Sequence, residues 1–294
     1  MDSQAGAGNL RSLTGRQIES MQRAAQELRL TVVEMIHRAG SGHTGGSLSA
    51  AEILTVLYDA VLRVRPGEPD WPDRDRLILS KGHAAPALYA TLARKGFFDP
   101  RWLGRLRQID SPLQGHPSMR DTPGVEMSTG SLGMGLSVGV GMALARRATG
   151  RDFRVFVVCG DGELQEGQNW EAMMAAAKWG LSELTLVVDR NHVQLDGPVR
   201  EIMPLGDLEA KVKAFGWCVF GCDGHDVKSL LEAFDAALSA AGPAAIVAET
   251  VKGKGVSFME GQAAWHGRPI GDAEYARAMT ELRDALQQGP RGER

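Results

Sequence analysis

Glycine, carboxylate and carboxamide residues with metal-binding and anion-binding chemistry lie near the middle of the chain. Gly160-Asp161-Gly162 is followed by Asn191, after 191 − 161 = 30 residues. Glycines let the backbone approach an anion closely, and the N–H groups that open a following helix can bind it. Carboxylate and amide oxygens, as in Asp161 and Asn191, are the ligands that Mg²⁺ and Ca²⁺ prefer. These residues predict a diphosphate held through a divalent cation.

The elements that position these residues form a strand–helix–strand unit. Two apolar β-branched runs, Val155–Cys159 and Leu184–Val188, enclose the amphipathic segment Trp170–Trp179, which Gly180 ends. Such units build parallel sheets, and ligands bind beyond the carboxyl ends of the strands. Alone, G-D-G would be read as a turn after a strand. The Asn191 that follows the next strand favours a shared site instead.

Four of the seven histidines lie in turns bordered by glycine: His43, His83, His116 and His266. A single loop histidine is more often structural or solvent-facing than catalytic. Histidine can exchange a proton near neutral pH and can donate to phosphate or hydroxyl groups. Four such residues at the ends of predicted elements are harder to explain as structural.

The remaining pattern predicts one α/β domain, with a parallel sheet and helices on both faces. Residues 1–15 are expected to be disordered, residues 16–287 to form the domain, and residues 288–294 to fray. Ser41–Gly46 is expected to be irregular, and Asp110–Thr129 a long functional loop. The predicted helices are Gln17–Arg38, a helix to Leu62 with a Ser49/Glu52 capping box, Ala85–Lys95, Arg101–Gln108, Leu132–Arg147, Asp207–Phe215, Asp226–Ala240 and Asp272–Leu286; the further strands are Arg76–Ser80, Trp217–Phe220 and Ala244–Thr250.

Composition excludes several classes of protein. The chain has 294 residues, 43% of them hydrophobic, and a formal charge of −3, which gives no reason to expect nucleic-acid or membrane-surface binding. The start is polar, and the longest apolar stretch, Leu132–Ala145, is too short and glycine-rich to span a bilayer. We therefore expect a cytoplasmic protein. Three cysteines, Cys159, Cys218 and Cys222, predict neither a disulfide framework nor a zinc site.

The G-D-G…N spacing resembles the thiamine diphosphate signature, and the surrounding sequence motifs resemble those of the transketolase family. These are S-G-H-T-G-G-S-L-S-A-A-E-I-L (41–54), R-D-R-L-I-L-S-K-G-H-A (74–84), G-H-P (115–117), S-T-G-S-L-G-M-G (128–135) and K-G-K-G-V-S-F-M-E…W-H-G (252–267). They occur in the family's order, from about residue 17 to 280. The resemblance covers only the amino-terminal, diphosphate-binding half of a transketolase. It implies the thiamine diphosphate-binding fold.

The resemblance implies thiamine diphosphate and Mg²⁺ (or Ca²⁺ or Mn²⁺) as cofactors. It implies transfer of a two-carbon ketol unit from a ketose phosphate to an aldose phosphate, with the cofactor as electron sink. Histidines would manage the hydroxyl protons. By the same implication, the catalytic residues are His43, His83, His116 and His266; the cofactor-binding residues are His83, Gly130, Leu132, Gly160, Asp161, Gly162, Glu166, Asn191 and His266; and the metal ligands are Asp161, Asn191 and the Val193 carbonyl.

Several residues leave alternatives open. Thr44 stands where the family usually has proline, which loosens the turn, and Arg190 replaces an acidic or amide residue and could contact a phosphate. Glu166 resembles the glutamate that meets its partner across a subunit interface, although a carboxylate at a helix N-terminus explains it equally well. Lys252 and Lys254 could help retain the anionic cofactor or be solvated. Gly135 and Gly139 share one helix face, which could pack within the chain or at a subunit interface.

The missing half implies a partner, a carboxyl-terminal, pyrimidine-binding transketolase subunit, in a heterotetramer with two copies of each chain. One alternative is a subunit of another thiamine diphosphate enzyme, such as a 2-oxo acid dehydrogenase E1 α chain or a 1-deoxyxylulose-5-phosphate synthase. The 2-oxo acid dehydrogenases are not expected to carry S-K-G-H-A or F-M-E…W-H-G. A non-enzymatic scaffold is the other alternative, and it would have no use for Asp161, Asn191 and four histidines.

Overall fold

Helices and parallel strands alternate along most of the computed structural model, which describes residues 10–288. The strands are β1 Arg76–Leu79, β2 Val155–Gly160, β3 Leu184–Arg190, β4 Cys218–Asp223 and β5 Ala244–Glu249. The helices are α1 Gly15–Ala39, α2 Thr44–Ser49, α3 Ala51–Val56, α4 Ala85–Lys95, α5 Met134–Thr149, α6 Gly167–Lys178, α7 Val199–Ile202, α8 Leu208–Ala214, α9 Val227–Leu238 and α10 Asp272–Gln288.

The five strands form one parallel sheet in the order β1-β2-β3-β5-β4. Gly160 is paired with Asp189 across β2 and β3, and Arg190 with Glu249 across β3 and β5. The carboxyl ends of β2, β3 and β5 are therefore level. As a result, the loops that carry Asp161 and Asn191 leave the sheet side by side.

Apolar side chains on both faces of the sheet are buried under helices. Along β2, Phe156 and Val158 belong to one hydrophobic cluster, which includes residues of α1, α4 and α9. Val157 and Cys159 belong to a second cluster, with residues of α5, α6 and α8. Successive residues of a strand point to opposite faces, so both faces are covered, as parallel sheets require. The predicted fold class is confirmed.

Helix α5 uses its glycines to approach its own sheet. A Cβ atom at Gly139 would lie 2.6 Å from Val157 Cγ2, and one at Gly135 would overlap the Ser80 side chain. The Gly135/Gly139 face thus packs within the chain, which is the first of the two alternatives that the sequence left open.

The segment after α1 differs from its prediction. Residues 44–49 are helical although glycine-rich, because tertiary packing overrides weak propensity. The Ser49/Glu52 capping box is wrong, since Ser49 Oγ donates to Asp189 Oδ2 over 2.6 Å and Arg29 binds Glu52. The helix is interrupted at Ala50, and its last turn, Leu57–Val61, is a wider π-turn.

Other boundaries moved by a turn or less. The predicted Arg101–Gln108 helix is a 3₁₀ helix over Pro100–Arg105, and Asp226 caps α9 as expected. The predicted disorder of residues 1–15 is wrong for residues 10–15, because Leu10–Ser12 forms a 3₁₀ turn in which Leu10 is buried, and Gly15 opens α1. Residues 1–9 and 289–294 lie outside the described part. Within residues 10–288, no helix has the length and apolar character needed to cross a bilayer.

Candidate active site

The four predicted histidines come together in one cluster, here called the histidine cluster. His43 precedes α2, His83 lies in the 3₁₀ turn after β1, His116 lies in the long loop, and His266 follows a 3₁₀ turn at Ala263–Trp265. The ring centroid of His43 lies 5.4 Å from that of His83, 6.0 Å from that of His116 and 5.4 Å from that of His266. The centroids of His83 and His266 are 4.7 Å apart.

Burial and neighbouring cations keep the histidine cluster uncharged near neutral pH. Burial, assisted by Arg107, lowers the pKa of His43 to about 4. Burial and Lys252 lower the pKa of His266 to about 3. The pKa of His83 is lowered by burial and by Lys81, and that of His116 by burial and Arg107. Neutral imidazoles can both donate and accept, which is what proton transfer to and from hydroxyls requires.

Two of the imidazoles have their tautomers set by cationic donors. Arg107 Nη2 lies 3.2 Å from His43 Nδ1, and Lys252 Nζ lies 2.9 Å from His266 Nδ1. Guanidinium and ammonium groups only donate, so both Nδ1 atoms accept. His43 and His266 therefore carry their protons on Nε2, which leaves an N–H donor on each ring.

The predicted metal ligands also lie together, at the carboxyl ends of β2 and β3; they are here called the oxygen cluster. Asp161 is 2% exposed and Asn191 is 8% exposed. Asp161 Oδ2 accepts from the N–H of His192 over 2.9 Å, and Asn191 Oδ1 accepts from the N–H of Val193 over 3.2 Å. His192 has φ +64°, a left-handed conformation that is uncommon outside glycine and shapes the turn between the ligands.

The oxygen cluster is suited to a hard cation. Burial and the nearby Asp189 raise the pKa of Asp161, so a positive charge beside it would be stabilising. Within residues 10–288, no group of three or more His, Cys, Asp or Glu side chains is placed to hold a metal. One carboxylate, one amide and the Val193 carbonyl are an all-oxygen set, which Mg²⁺ accepts when ligand phosphates or water complete its shell.

Lys252 joins the histidine cluster to the oxygen cluster. Its side chain is 2% exposed, and Nζ donates to the Val193 carbonyl over 3.1 Å while it contacts His266. Burial lowers the pKa of Lys252 to about 8, so it remains mostly charged at pH 7. Lys254 instead lines a separate surface groove beside β4 and β5. The sequence suggested both Lys252 and Lys254 as residues near an anion, but only Lys252 lies in the site.

A buried ion pair beneath the site was missed from sequence. Lys81 and Asp189, each at most 1% exposed, form a salt bridge. Ser49 and Thr250 also donate to the Asp189 carboxylate. Both residues lie next to motifs that the sequence analysis used, since Lys81 is part of S-K-G-H-A and Asp189 is two residues before Asn191. Their pairing was not predictable because the two residues are distant in sequence.

The predicted cofactor-binding glycines lie in tightly packed turns around the clusters. A Cβ at Gly130, which has φ +148°, would lie 2.9 Å from His116 Cδ2. Leu132 is half-buried in the same loop. Buried Glu163, a second residue missed from sequence, accepts from the N–H of Gly160 over 3.1 Å and of Gly133 over 2.9 Å, and so ties that loop to the end of β2.

Three residues near the oxygen cluster have contacts that the sequence did not indicate. The Gly162 N–H donates to Asp161 Oδ1, and only a 3₁₀ turn, Gly162–Gln165, follows it before α6. Arg190 pairs with Glu249 at 2.8 Å, which directs it away from a phosphate role. Glu166 is exposed at the N-cap of α6 and makes no capping hydrogen bond, so a carboxylate favoured by the helix dipole and a residue that faces a partner both remain open.

Known proteins are similar to this chain in sequence and in fold. The model of the family described as "Transketolase, thiamine diphosphate binding domain" matches residues 20–286. The chain belongs to the transketolase family. It is 44% identical over 263 residues to the 6-deoxy-6-sulfo-D-fructose transketolase subunit SqwG of Clostridium sp. (strain MSTE9), covering 89% of this chain and 96% of that subunit. The resemblance inferred from the sequence motifs is confirmed.

Other transketolases fall into two groups, separate subunits of about this length and longer single chains. One of the subunits of the apulose-4-phosphate transketolase of Phocaeicola vulgatus is 39% identical, with coverage of 92% of this chain and 96% of that relative. The crystal structure of Campylobacter jejuni transketolase superposes with a TM-score of 0.85 and 33% identity, over 92% of this chain but 43% of that one. This chain therefore matches relatives that are separate transketolase subunits over nearly their whole length, and the amino-terminal part of a longer transketolase.

Proposed function

We propose that this chain is the amino-terminal subunit of a two-chain transketolase, which transfers a two-carbon ketol unit from a ketose to an aldose. The observation that carries the proposal is the junction at Lys252. Its ammonium contacts the Val193 carbonyl of the oxygen cluster and His266 of the histidine cluster. Cation binding, anion binding and proton transfer are thereby available in one continuous site.

Thiamine diphosphate, when bound, supplies the electron sink that cleavage of a carbon–carbon bond beside a carbonyl needs. Asp161, Asn191 and the Val193 carbonyl would hold the divalent cation, with Mg²⁺ our first choice. Lys252 would contact the diphosphate, because it is a buried cation beside those oxygens. Gly160 and Gly162 would let the backbone approach the same anion.

The four histidines would bind the sugar and transfer its protons. His43 and His266 have Nε2–H donors available, because their Nδ1 atoms already accept from Arg107 and Lys252. Low pKa values keep these rings neutral, so each Nε2–H can donate a hydrogen bond to a sugar hydroxyl. Arg107, the cation that contacts His43, would favour an anionic sugar, such as a phosphate or sulfonate, over a neutral one.

A pyrimidine-binding partner chain would complete the site. The relatives matched over nearly their whole length are named as subunits, and the longer transketolases extend well beyond this chain. Met134 on α5 and Met174 on α6 are 42% and 56% exposed. We propose that Met134, Met174 and the exposed Glu166 side chain face the partner in a heterotetramer.

Reconstitution tests the proposal. This chain and a candidate carboxyl-terminal transketolase chain from the same organism would be purified separately and together, with thiamine diphosphate and Mg²⁺. Ketol transfer from xylulose 5-phosphate, fructose 6-phosphate, 6-deoxy-6-sulfo-D-fructose and apulose 4-phosphate to an aldose phosphate would be assayed, and mass measured by light scattering. We expect turnover only from the mixture, with the mass of two copies of each chain.

Two results would contradict the proposal. Full ketol transfer by this chain alone would refute the two-chain arrangement. Oxidative decarboxylation of pyruvate by the mixture, measured with an artificial electron acceptor and without ketol transfer, would favour a 2-oxo acid dehydrogenase instead.

A further inference from the structure

A chain of three hydrogen-bonded side chains, two of them buried and the third, His225, 12% exposed, lies outside the two clusters and ends on the backbone next to Lys252. Arg29 on α1 is fully buried and donates to both oxygens of Glu52 on α3, over 2.6 and 2.5 Å. Glu52 Oε2 lies 3.0 Å from His225 Nδ1. The opposite ring nitrogen, His225 Nε2, lies 2.8 Å from the backbone nitrogen of Val251.

The hydrogen bonds of this chain of side chains allow one protonation pattern. Burial alone would raise the pKa of Glu52, but Arg29 and His225 lower it to about 2, so Glu52 is a carboxylate and only accepts. The Val251 N–H only donates, so His225 Nε2 must accept and Nδ1 must carry the proton to Glu52. The reverse tautomer would set an N–H against the Val251 N–H. Arg29 Nη2, at 3.5 Å from Nδ1, is too distant to compete with Glu52.

The turn that carries His225 is held against β5. The Gly224 N–H donates to the Glu249 carbonyl over 2.8 Å, and a Cβ at Gly224 would lie 2.9 Å from that oxygen. The turn before α9 is thus pressed against the end of β5. Thr250 is anchored separately, since its hydroxyl donates to Asp189. The backbone that leads to Lys252 is held on one side by Asp189 and on the other by His225.

We propose that His225 is a positioning residue, which holds Lys252 in the site by accepting the hydrogen bond from the Val251 N–H. Arg29 and Glu52 act through it by fixing its tautomer. The consequence for cofactor binding rests on the proposed function, because it requires Lys252 to contact the diphosphate. The effect on the backbone at Val251 does not.

Two substitutions separate the hydrogen bond from ring packing. His225→Phe keeps a planar ring but removes the acceptor, whereas His225→Gln can still offer a side-chain oxygen to the Val251 N–H. His37→Phe is the matched control, since His37 Nδ1 bonds the Ile270 carbonyl over 3.1 Å, away from the site. Urea unfolding of each full-length variant identifies any global loss of stability.

Three measurements follow for each variant. Amide exchange at Val251 and labelling of Lys252 by an amine-reactive acetyl ester are measured on the full chain, and thiamine diphosphate affinity with Mg²⁺ by calorimetry on the two-chain assembly. In His225→Phe we expect exchange and labelling to rise about tenfold, as for loss of one buried hydrogen bond, and affinity to fall by a similar factor. His225→Gln should restore most of each, and His37→Phe should change none.

Unchanged exchange and labelling in His225→Phe, or equal changes in His37→Phe, would overturn the positioning role. Failure of His225→Gln to restore them would also overturn it, because ring packing would then explain the effect. If the wild-type assembly does not bind thiamine diphosphate, the proposed function fails, while the exchange and labelling results still decide whether His225 positions Lys252.

Discussion

Replacing Asp189 by asparagine should destabilise the protein strongly, because it breaks the buried ion pair with Lys81. Asparagine has nearly the same shape; with its oxygen facing Ser49 and Lys81 it can still accept there, while the Thr250 hydroxyl can turn to accept from its amide group. The substitution therefore removes mainly the charge, and leaves the Lys81 ammonium buried without a counter-ion.

The expected loss follows from burial. Neither partner is more than 1% exposed, so solvent does not screen the pair. Removing one member of such a pair typically costs about 3–5 kcal/mol. That is a large part of the about 5–15 kcal/mol by which folded proteins are stable.

Urea unfolding followed by circular dichroism at pH 7 measures the effect. The control is Glu27→Gln, which breaks the Arg23–Glu27 pair on α1, whose side chains are 69% and 48% exposed. Exposed helical pairs of this spacing contribute about 0.2–0.5 kcal/mol. The double variant Lys81→Met/Asp189→Asn should recover part of the loss, because no charge is left unpaired.

The pH dependence of the free energy of unfolding gives a second test of the Lys81–Asp189 pair. Burial alone would raise the pKa of Asp189, but the Lys81 ammonium and the hydroxyl donors bring it below its ordinary value. A depressed pKa contributes stability above the unfolded value of about 3.9, and that contribution is lost as pH falls through the folded value. The difference between wild type and Asp189→Asn should therefore be constant above about pH 5 and shrink below about pH 4. A loss under about 1 kcal/mol at pH 7, or no recovery in the double variant, would refute this reasoning.

Two further substitutions test the two clusters. Asp161→Ala should weaken thiamine diphosphate binding in the presence of Mg²⁺ strongly while circular dichroism stays unchanged, and calorimetry that finds equal affinity would remove Asp161 from the metal ligands. His116→Ala should slow ketol transfer by about 100- to 10,000-fold with near-normal cofactor affinity, as expected for a lost acid–base group; activity within a few-fold of wild type would place His116 outside the reaction.

Local sequence signals were sufficient to predict the sheet and much of the site. The β-branched runs of β2 and β3 have few alternatives to buried strands, and parallel pairing then places Asp161 beside Asn191. The glycine-bordered histidines were candidates because each follows or precedes a predicted element, and the resemblance to transketolases implied that all four line one channel. In the structure, the centroids of neighbouring histidine rings lie 4.7 to 6.0 Å apart, which agrees with that implication.

Features that depend on distant partners could not be predicted. Helix α2 is glycine-rich, and it forms where its backbone packs on Lys252, so that a Cβ at Gly45 would lie 2.8 Å from Lys252 Cγ. Ser49 and Glu52 have the spacing of a capping box, yet their partners are Asp189 and Arg29, 140 and 23 residues away. A local pattern cannot reveal which of two possible hydrogen-bond partners the tertiary structure supplies.

The buried cations of this chain divide by whether a carboxylate neutralises them. Arg29 is paired with Glu52 and Lys81 with Asp189. Lys252 has no carboxylate within salt-bridge distance in the described part of the chain, and its partners are two carbonyls and an imidazole. Since an unpaired buried charge is costly, the free energy of the folded chain improves when an anion reaches Lys252. The paired cations hold the framework, whereas Lys252, beside the oxygen cluster, has the charge and the position that the proposed diphosphate and its metal would require.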